Sequence, residues 1–133
     1  MIAVFAANNF ADVRIEQGQY QEAEELLLRV TEVRQAKLPP EHAFNATTLH
    51  SFARLRERQG KFAEAEEAYQ KAIVIREAAL PLDHPYRAKL LEDYSGFLQA
   101  HGRNQEADEL RIRAQAAREQ HAATESAEEK EFS

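Results

Sequence analysis

The sequence predicts an all-α fold, an α-solenoid of three helix-turn-helix units. Three observations carry this. Gly18, Gly60 and Gly102 are three of only 4 glycines in 133 residues, and each follows the last by 42. Their surroundings repeat as well. Gln17-Gly18-Gln19-Tyr20-Gln21-Glu22-Ala23 matches Gln59-Gly60-Lys61-Phe62-Ala63-Glu64-Ala65, and His101-Gly102-Arg103-Asn104-Gln105-Glu106-Ala107 is a looser third copy. A proline motif keeps the same period, since Leu38-Pro39-Pro40-Glu41-His42 aligns with Leu80-Pro81-Leu82-Asp83-His84. The chain holds only 4 Gly and 4 Pro, which favours long helices over a loop-rich β fold.

The expected helices span about residues 2–17, 20–37, 43–59, 62–79, 85–101 and 104–120. The middle unit shows why. Its first helix carries Leu49, Phe52, Ala53 and Leu55 at helical spacing and stops at Gly60, a residue suited to the left-handed backbone just past a helix end. Its second helix carries Ala65, Ala68, Tyr69, Ala72 and Ile73 as an apolar stripe. Glu64, Glu66 and Glu67 sit in the first turns, where carboxylates favour the helix dipole, and Pro81 ends the run. The flanking units follow by the repeat. Short turns make neighbouring helices antiparallel. Acid-then-base pairs at i,i+4, namely Glu25–Arg29, Glu67–Lys71 and Glu109–Arg113, fall on the same period and support an exposed face.

Composition excludes several functions. Lys+Arg total 17 against 23 for Asp+Glu, so the net charge of -6 argues against a nucleic-acid surface. The absence of cysteine removes disulfides, thiolate metal sites and cysteine nucleophiles. No apolar run approaches the roughly 18–20 residues of a membrane span. Met1 to Ala7 lacks the basic region of a signal peptide. The missing signal and missing cysteine together favour a cytoplasmic location. His42 and His84 follow Glu41 and Asp83, but adjacent residues do not orient one another as a catalytic dyad, and the expected role is helix capping and linker packing. Phosphate-binding Gly-rich loops and metal-binding His-Glu-x-x-His helices are both missing. The chain therefore reads as a non-enzyme with no catalytic residue, no metal and no cofactor.

Taken together, the motifs resemble the tetratricopeptide repeat (TPR), in the 42-residue form of kinesin light chains and many bacterial sensor and scaffold proteins. The residues that carry the resemblance are small ones at Ala11, Ala53 and Ser95, the three turn glycines, Tyr20 and Phe62, then Ala23, Ala65 and Ala107. Leu27 and Tyr69 fill the large position, with Val30, Ala72 and Ala114 beyond. Asn8-Asn9-Phe10-Ala11 is similar to the family's Asn-Asn-Leu-Ala signature. The resemblance implies a right-handed solenoid over residues 1–120, with repeats of about 1–38, 39–80 and 81–120. It implies a protein–protein interaction scaffold that binds a peptide segment in the concave groove lined by the first helices. Aligned to the glycines, the groove positions are Phe5, Asn8, Asp12 and Ile15, then Thr47, His50, Arg54 and Glu57, then Lys89, Glu92, Gly96 and Gln99. Asn8, Asp12, His50, Arg54, Lys89 and Glu92 are the peptide-binding candidates. Asn8 matches the family's peptide-contacting asparagine, whereas His50 and Glu92 depart from it.

Asn104 and Arg111 replace large apolar residues of the earlier repeats, which fits a polar C-terminal cap. Residues 119–133 hold five acids and one base, a net -4 that leaves -2 for the repeats. Residues 119–133 are expected to be a frayed helix that continues into disorder, with 121–133 as an acidic, disordered tail. At the other end residue 1 falls where the first helix should already have begun. Either the protein starts abruptly or this is part of a longer array. The uncovered apolar positions Ile2, Phe5 and Phe10 give the alternative role, a C-terminal oligomerisation or spacer element of a longer multidomain protein. The expected partner is thus a protein or peptide, including a second copy through the N-terminal helix, and neither nucleic acid nor membrane.

Overall fold

The computed structural model describes residues 2–39, 42–79 and 85–131, with the side chains of residues 2–5, 79, 128, 130 and 131 outside that description. The helices are α1 (Ile2–Glu16), α2 (Tyr20–Lys37), α3 (Ala43–Arg58), α4 (Phe62–Ala79), α5 (Pro85–Ala100) and α6 (Asn104–Glu131). No strand occurs among the described residues. The proline motif Leu80–His84, and Pro40 and Glu41 of its first copy, lie outside them.

The first helices stop at residues 16, 58 and 100, one earlier than the glycine spacing suggested. The reason is the turn. In each repeat the glycine has φ +77°. The amide of the residue after it bonds back to the helix: Gln19 N–H to the Arg14 carbonyl at 2.8 Å, Lys61 N–H to Arg56 at 2.8 Å and Arg103 N–H to Leu98 at 2.9 Å. The glycine amides close the inner bond, for example Gly60 N–H to the Glu57 carbonyl at 3.1 Å. This is a Schellman closure, which uses otherwise orphaned carbonyls and needs a left-handed residue. Equivalent ion pairs brace the first two turns, Arg14–Glu22 at 3.0 Å and Arg56–Glu64 at 3.2 Å.

The larger difference is α6. Residues 121–131, expected as a disordered tail, continue the helix to Glu131. Alanine and glutamate are strong helix formers, and the charge that argued for disorder is compatible with a solvated helix. Thr124 returns its hydroxyl to the Gln120 carbonyl at 3.0 Å, and His121 lies 3.1 Å from Glu125 one turn on.

The chain forms two compact units, Met1–Ala79 and Leu80–Ser133. In the first, α1 packs on α2, α3 on α4, and both α1 and α2 on α3. Ala11, Ile15, Ala23, Leu27 and Leu55 are fully buried in one cluster, with Tyr20, Leu26 and Phe52 packed against it. Leu55 belongs to the second repeat, so the repeats interlock through it. In the second unit α5 packs on α6. Ser95 donates to the Ala107 carbonyl at 2.7 Å, a contact that the small residue on each helix permits. The positions expected to be buried at the repeat spacing, from Ala11, Ala53 and Ser95 to Val30, Ala72 and Ala114, are buried. The exceptions are the aromatic pair, Tyr20 being partly buried and Phe62 47% exposed.

Candidate functional site

The faces of α1 and α3 meet along a row of polar side chains spaced one helical turn apart. The row begins inside. Arg34, near the end of α2, is 1% exposed and donates to the Phe44 carbonyl and the Thr48 hydroxyl of α3. Its guanidinium lies over the Phe44 ring, 5.4 Å from the centroid. Burial pushes the Arg34 guanidinium below its usual pKa. Thr48 in turn donates to Asn8 Oδ1 at 3.1 Å, and Asn8 Nδ2 donates to Ser51 Oγ at 3.1 Å. Ser51 passes the chain on by donating to Asp12 Oδ1 at 2.6 Å. Asp12 faces Arg54 at 3.6 Å, Arg54 also pairs with Glu16, and Arg58 reaches Glu16 at 3.4 Å. Side-chain exposure rises along the row, from 27% at Arg54 and 33% at Asp12 to 55% at Glu16 and 47% at Arg58.

This geometry corrects the part expected of Asn8. It is 2% exposed, and its amide oxygen and nitrogen are both engaged with α3, so it ties the two first helices together and is not presented to a ligand. Ile15 is likewise in the core and not in a groove. Thr47 accepts from Arg76 at 2.5 Å, and Glu57 accepts from the Tyr69 hydroxyl at 3.0 Å. The side chain of Phe5 lies outside the described residues. Asp12 and Arg54 remain half-buried and face each other, and His50 sits one turn before Arg54 with its ring 6.1 Å from that of Tyr69. His42, outside the row, caps α3, its Nδ1 accepting from the Phe44 amide at 3.2 Å.

Lys89 and Glu92 belong to α5 in the second unit. Lys89 is exposed and pairs with Asp93 at 3.2 Å. Glu92 is held by α6, accepting from Arg118 Nε and Nη2 at 2.7 Å each. That fork is the largest cause holding the Glu92 carboxyl below its usual 4.5, with burial opposing.

The arginines were readable on the same period and were missed. Arg34, Arg76 and Arg118 are 42 residues apart, like the glycines. Each is the fifteenth residue of a second helix and reaches a first helix: Arg34 to Thr48 of α3, Arg76 to Thr47 of α3, Arg118 to Glu92 of α5. Among the described residues no group of three or more His, Asp or Glu could hold a metal ion. No described helix is long and apolar enough to cross a membrane.

Two outcomes follow from these contacts. Asn8→Ala removes the acceptor of Thr48 and the donor to Ser51 and should cost about 1–3 kcal/mol of stability in urea unfolding; a change within error would remove Asn8 from the packing. Glu92 has a depressed pKa, so its contribution is complete above pH 4.5 and is lost as pH falls through the lower folded value. The stability gap between wild type and Glu92→Gln, largest near neutrality, should therefore narrow on acidification below about pH 4.5; a gap that stays constant counts against the fork.

The tetratricopeptide repeat profile matches residues 3–78. No curated protein matches the chain. Among solved structures, a Podosopora anserina protein described as a kinesin light chain with nearly identical TPR-like repeats superposes with a TM-score of 0.75 at 30% identity. That match covers 86% of this chain and 55% of the other. A single-residue variant of the same protein gives 0.74 at 29% identity, covering 86% and 54%. The chain thus spans about half the length of these structures. The repeated Schellman turns, the buried small residues at the 42-residue spacing and the profile match over 3–78 agree: the chain belongs to the tetratricopeptide repeat family.

Proposed function

We propose that the chain binds a peptide segment of a partner protein on the face of α1 and α3. Tetratricopeptide repeat proteins are generally non-enzymatic interaction scaffolds, and membership supports that general role here. The observation that carries the finer reading is the half-exposed alternation of Asp12, Arg54, Glu16 and Arg58. Arginine forks bind carboxylates with two parallel donors, and a carboxylate on the partner competes directly with Glu16 for Arg54 and Arg58. Basic groups on the same segment find Asp12 and Glu16. His50 flanks the row. A segment of alternating charge is therefore the best-matched ligand, and binding weakens with salt because the pairs are partly solvated. Lys89 and Glu92 belong to the second unit, where Glu92 is committed to Arg118.

Peptides selected from a random display library against the full chain should be rich in mixed charge. They should lose about tenfold in affinity, about 1.4 kcal/mol, to Arg54→Glu. The variant's thermal unfolding should fall only modestly, because the carboxylate it sets against Asp12 and Glu16 is partly solvated there. Selected peptides that bind both proteins equally would sink this assignment.

A second reading rests on Phe10 and Val13, 59% and 50% exposed on α1. Their repeat equivalents Phe52 and Leu55 pack into the core cluster. The uncovered face suits association with a further apolar helix, as in an oligomerisation or spacer element of a longer protein. Sedimentation equilibrium at high micromolar concentration should then show self-association that Phe10→Asp reduces; a strict monomer argues against it.

A further inference from the structure

The joint between α2 and α3 shows what one face of α1 lacks. In α3, Arg56 has three polar partners. Its Nη1 donates to Gln59 at 2.8 Å, its Nε faces Glu64 at 3.2 Å, and its Nη2 donates to Glu24 of α2 at 2.8 Å. The first two belong to its own repeat, and the third crosses to the preceding one. The guanidinium lies 5.7 Å from the Phe52 ring centroid. Phe52 and Leu55 pack into the cluster that Ala23 and Leu27 of α2 help to form. The Arg56 bond is the largest cause holding the Glu24 carboxyl below its usual pKa, with burial opposing.

The equivalent positions of α1, 42 residues earlier, are Phe10, Val13 and Arg14. Arg14 repeats both contacts within its repeat, Nη1 to Gln17 at 2.6 Å and Nε to Glu22 at 3.0 Å. Its Nη2, the atom that in Arg56 crosses to α2, has no partner among the described residues. Exposure follows the missing contact. The Arg14 side chain is 33% exposed against 16% for Arg56, and Val13 is 50% exposed against 0% for Leu55.

We infer that Phe10, Val13 and Arg14 receive a helix of the α2 type from a partner protein, with a carboxylate for Arg14 and a large aliphatic side chain three residues after it. This rests on the association face read on α1 above and names what covers it. A helix is selected because the equivalent face of α3 is covered by one. Glu24 and Leu27, at i and i+3, stand on one side of that helix and reach Arg56 and the Leu55 cluster together. Ala23, fully buried, puts a small residue just before the acid. The matching sequence is therefore small-acid-x-x-large. Ala6 stands where Thr48 receives Arg34, so the incoming helix needs no counterpart of that arginine. Among the described residues no copy of this pattern is exposed. Ala23 and Leu27 of α2 are at 0%, and Ala65 and Tyr69 of α4 are at 0% and 1%. In α6 the large position is Arg111, which pairs with Asp108 at 2.9 Å. A different protein segment thus fits the face better than a second copy of this chain.

The test uses the full chain and a hydrocarbon-stapled helix with the sequence of residues 20–33, which carries the acid and the leucine and stops before Arg34. Its binding should shift the backbone amides of Phe10, Val13 and Arg14 and leave those of Phe52 and Leu55 in place. Phe10→Asp, a change at an exposed side chain, should weaken it by about tenfold or more. Arg14→Gln in the protein and Glu24→Gln in the peptide should each weaken binding about threefold. The two together should weaken it no further than either alone, because they remove one contact. An additive cycle overturns the inference while the apolar association face stands. Binding indifferent to Phe10→Asp overturns both. Shifts at Phe52 and Leu55 would mean that the peptide replaces α2, and equal shifts on concentrating the chain alone would put a second copy on the face; either result overturns the inference.

Discussion

Arg34 is 1% exposed, and its Nη1 donates to both the Phe44 carbonyl and the Thr48 hydroxyl of α3. That anchor organises the first unit. Thr48 accepts from Arg34, and its own hydroxyl hydrogen goes to Asn8 on α1. Asn8 passes the order on to Ser51, and Ser51 to Asp12. Three helices from two repeats are thereby held in one register by a chain of single hydrogen bonds, each of modest net value but each costly to leave unmade. Apolar packing alone would be more forgiving. Leu55 in its pocket of Ala11, Ile15, Ala23 and Leu27 sets the distance between the repeats. The polar chain sets which side chains stand opposite one another.

The same chain explains why the surface of α1 and α3 is graded. Its inner members, Arg34, Thr48 and Asn8, bond to one another and are buried out of a ligand's reach. Its outer members, from Asp12 to Arg58, are the same alternation of donors and acceptors with water on one side. An interface often arises in this way: a structural network runs out to the surface, where its last partners can be exchanged for those of another chain. Toward α4 the polar contacts of α3 are Thr47 with Arg76 and Glu57 with Tyr69, and its Leu49 and Phe52 line a cleft.

The fold was legible because the turn glycines state it directly. A left-handed residue every 42 positions fixes where each first helix stops, and the helix ends followed to within one residue. The end of α6 was not legible, because an acidic, alanine-rich stretch reads equally as solvated helix or as coil. Asn8 was misplaced for a different reason. Its partners, Thr48 and Ser51, are 40 and 43 residues away, and nothing in their local sequence marks them as hydroxyls turned inward. The arginine period could have been seen, but not its partners, since Arg34 reaches the next repeat while Arg76 and Arg118 reach their own.

The length of α6 has a mechanical consequence. With 28 residues against 16 in α5, it is about 42 Å long beside a companion of about 24 Å. Its later turns run beyond the length of α5 and carry the Thr124–Gln120 bond and the His121–Glu125 pair. The excess of twelve residues is about 18 Å of helix, a lever arm that carries the charges of its far turns well away from the pair that anchors it.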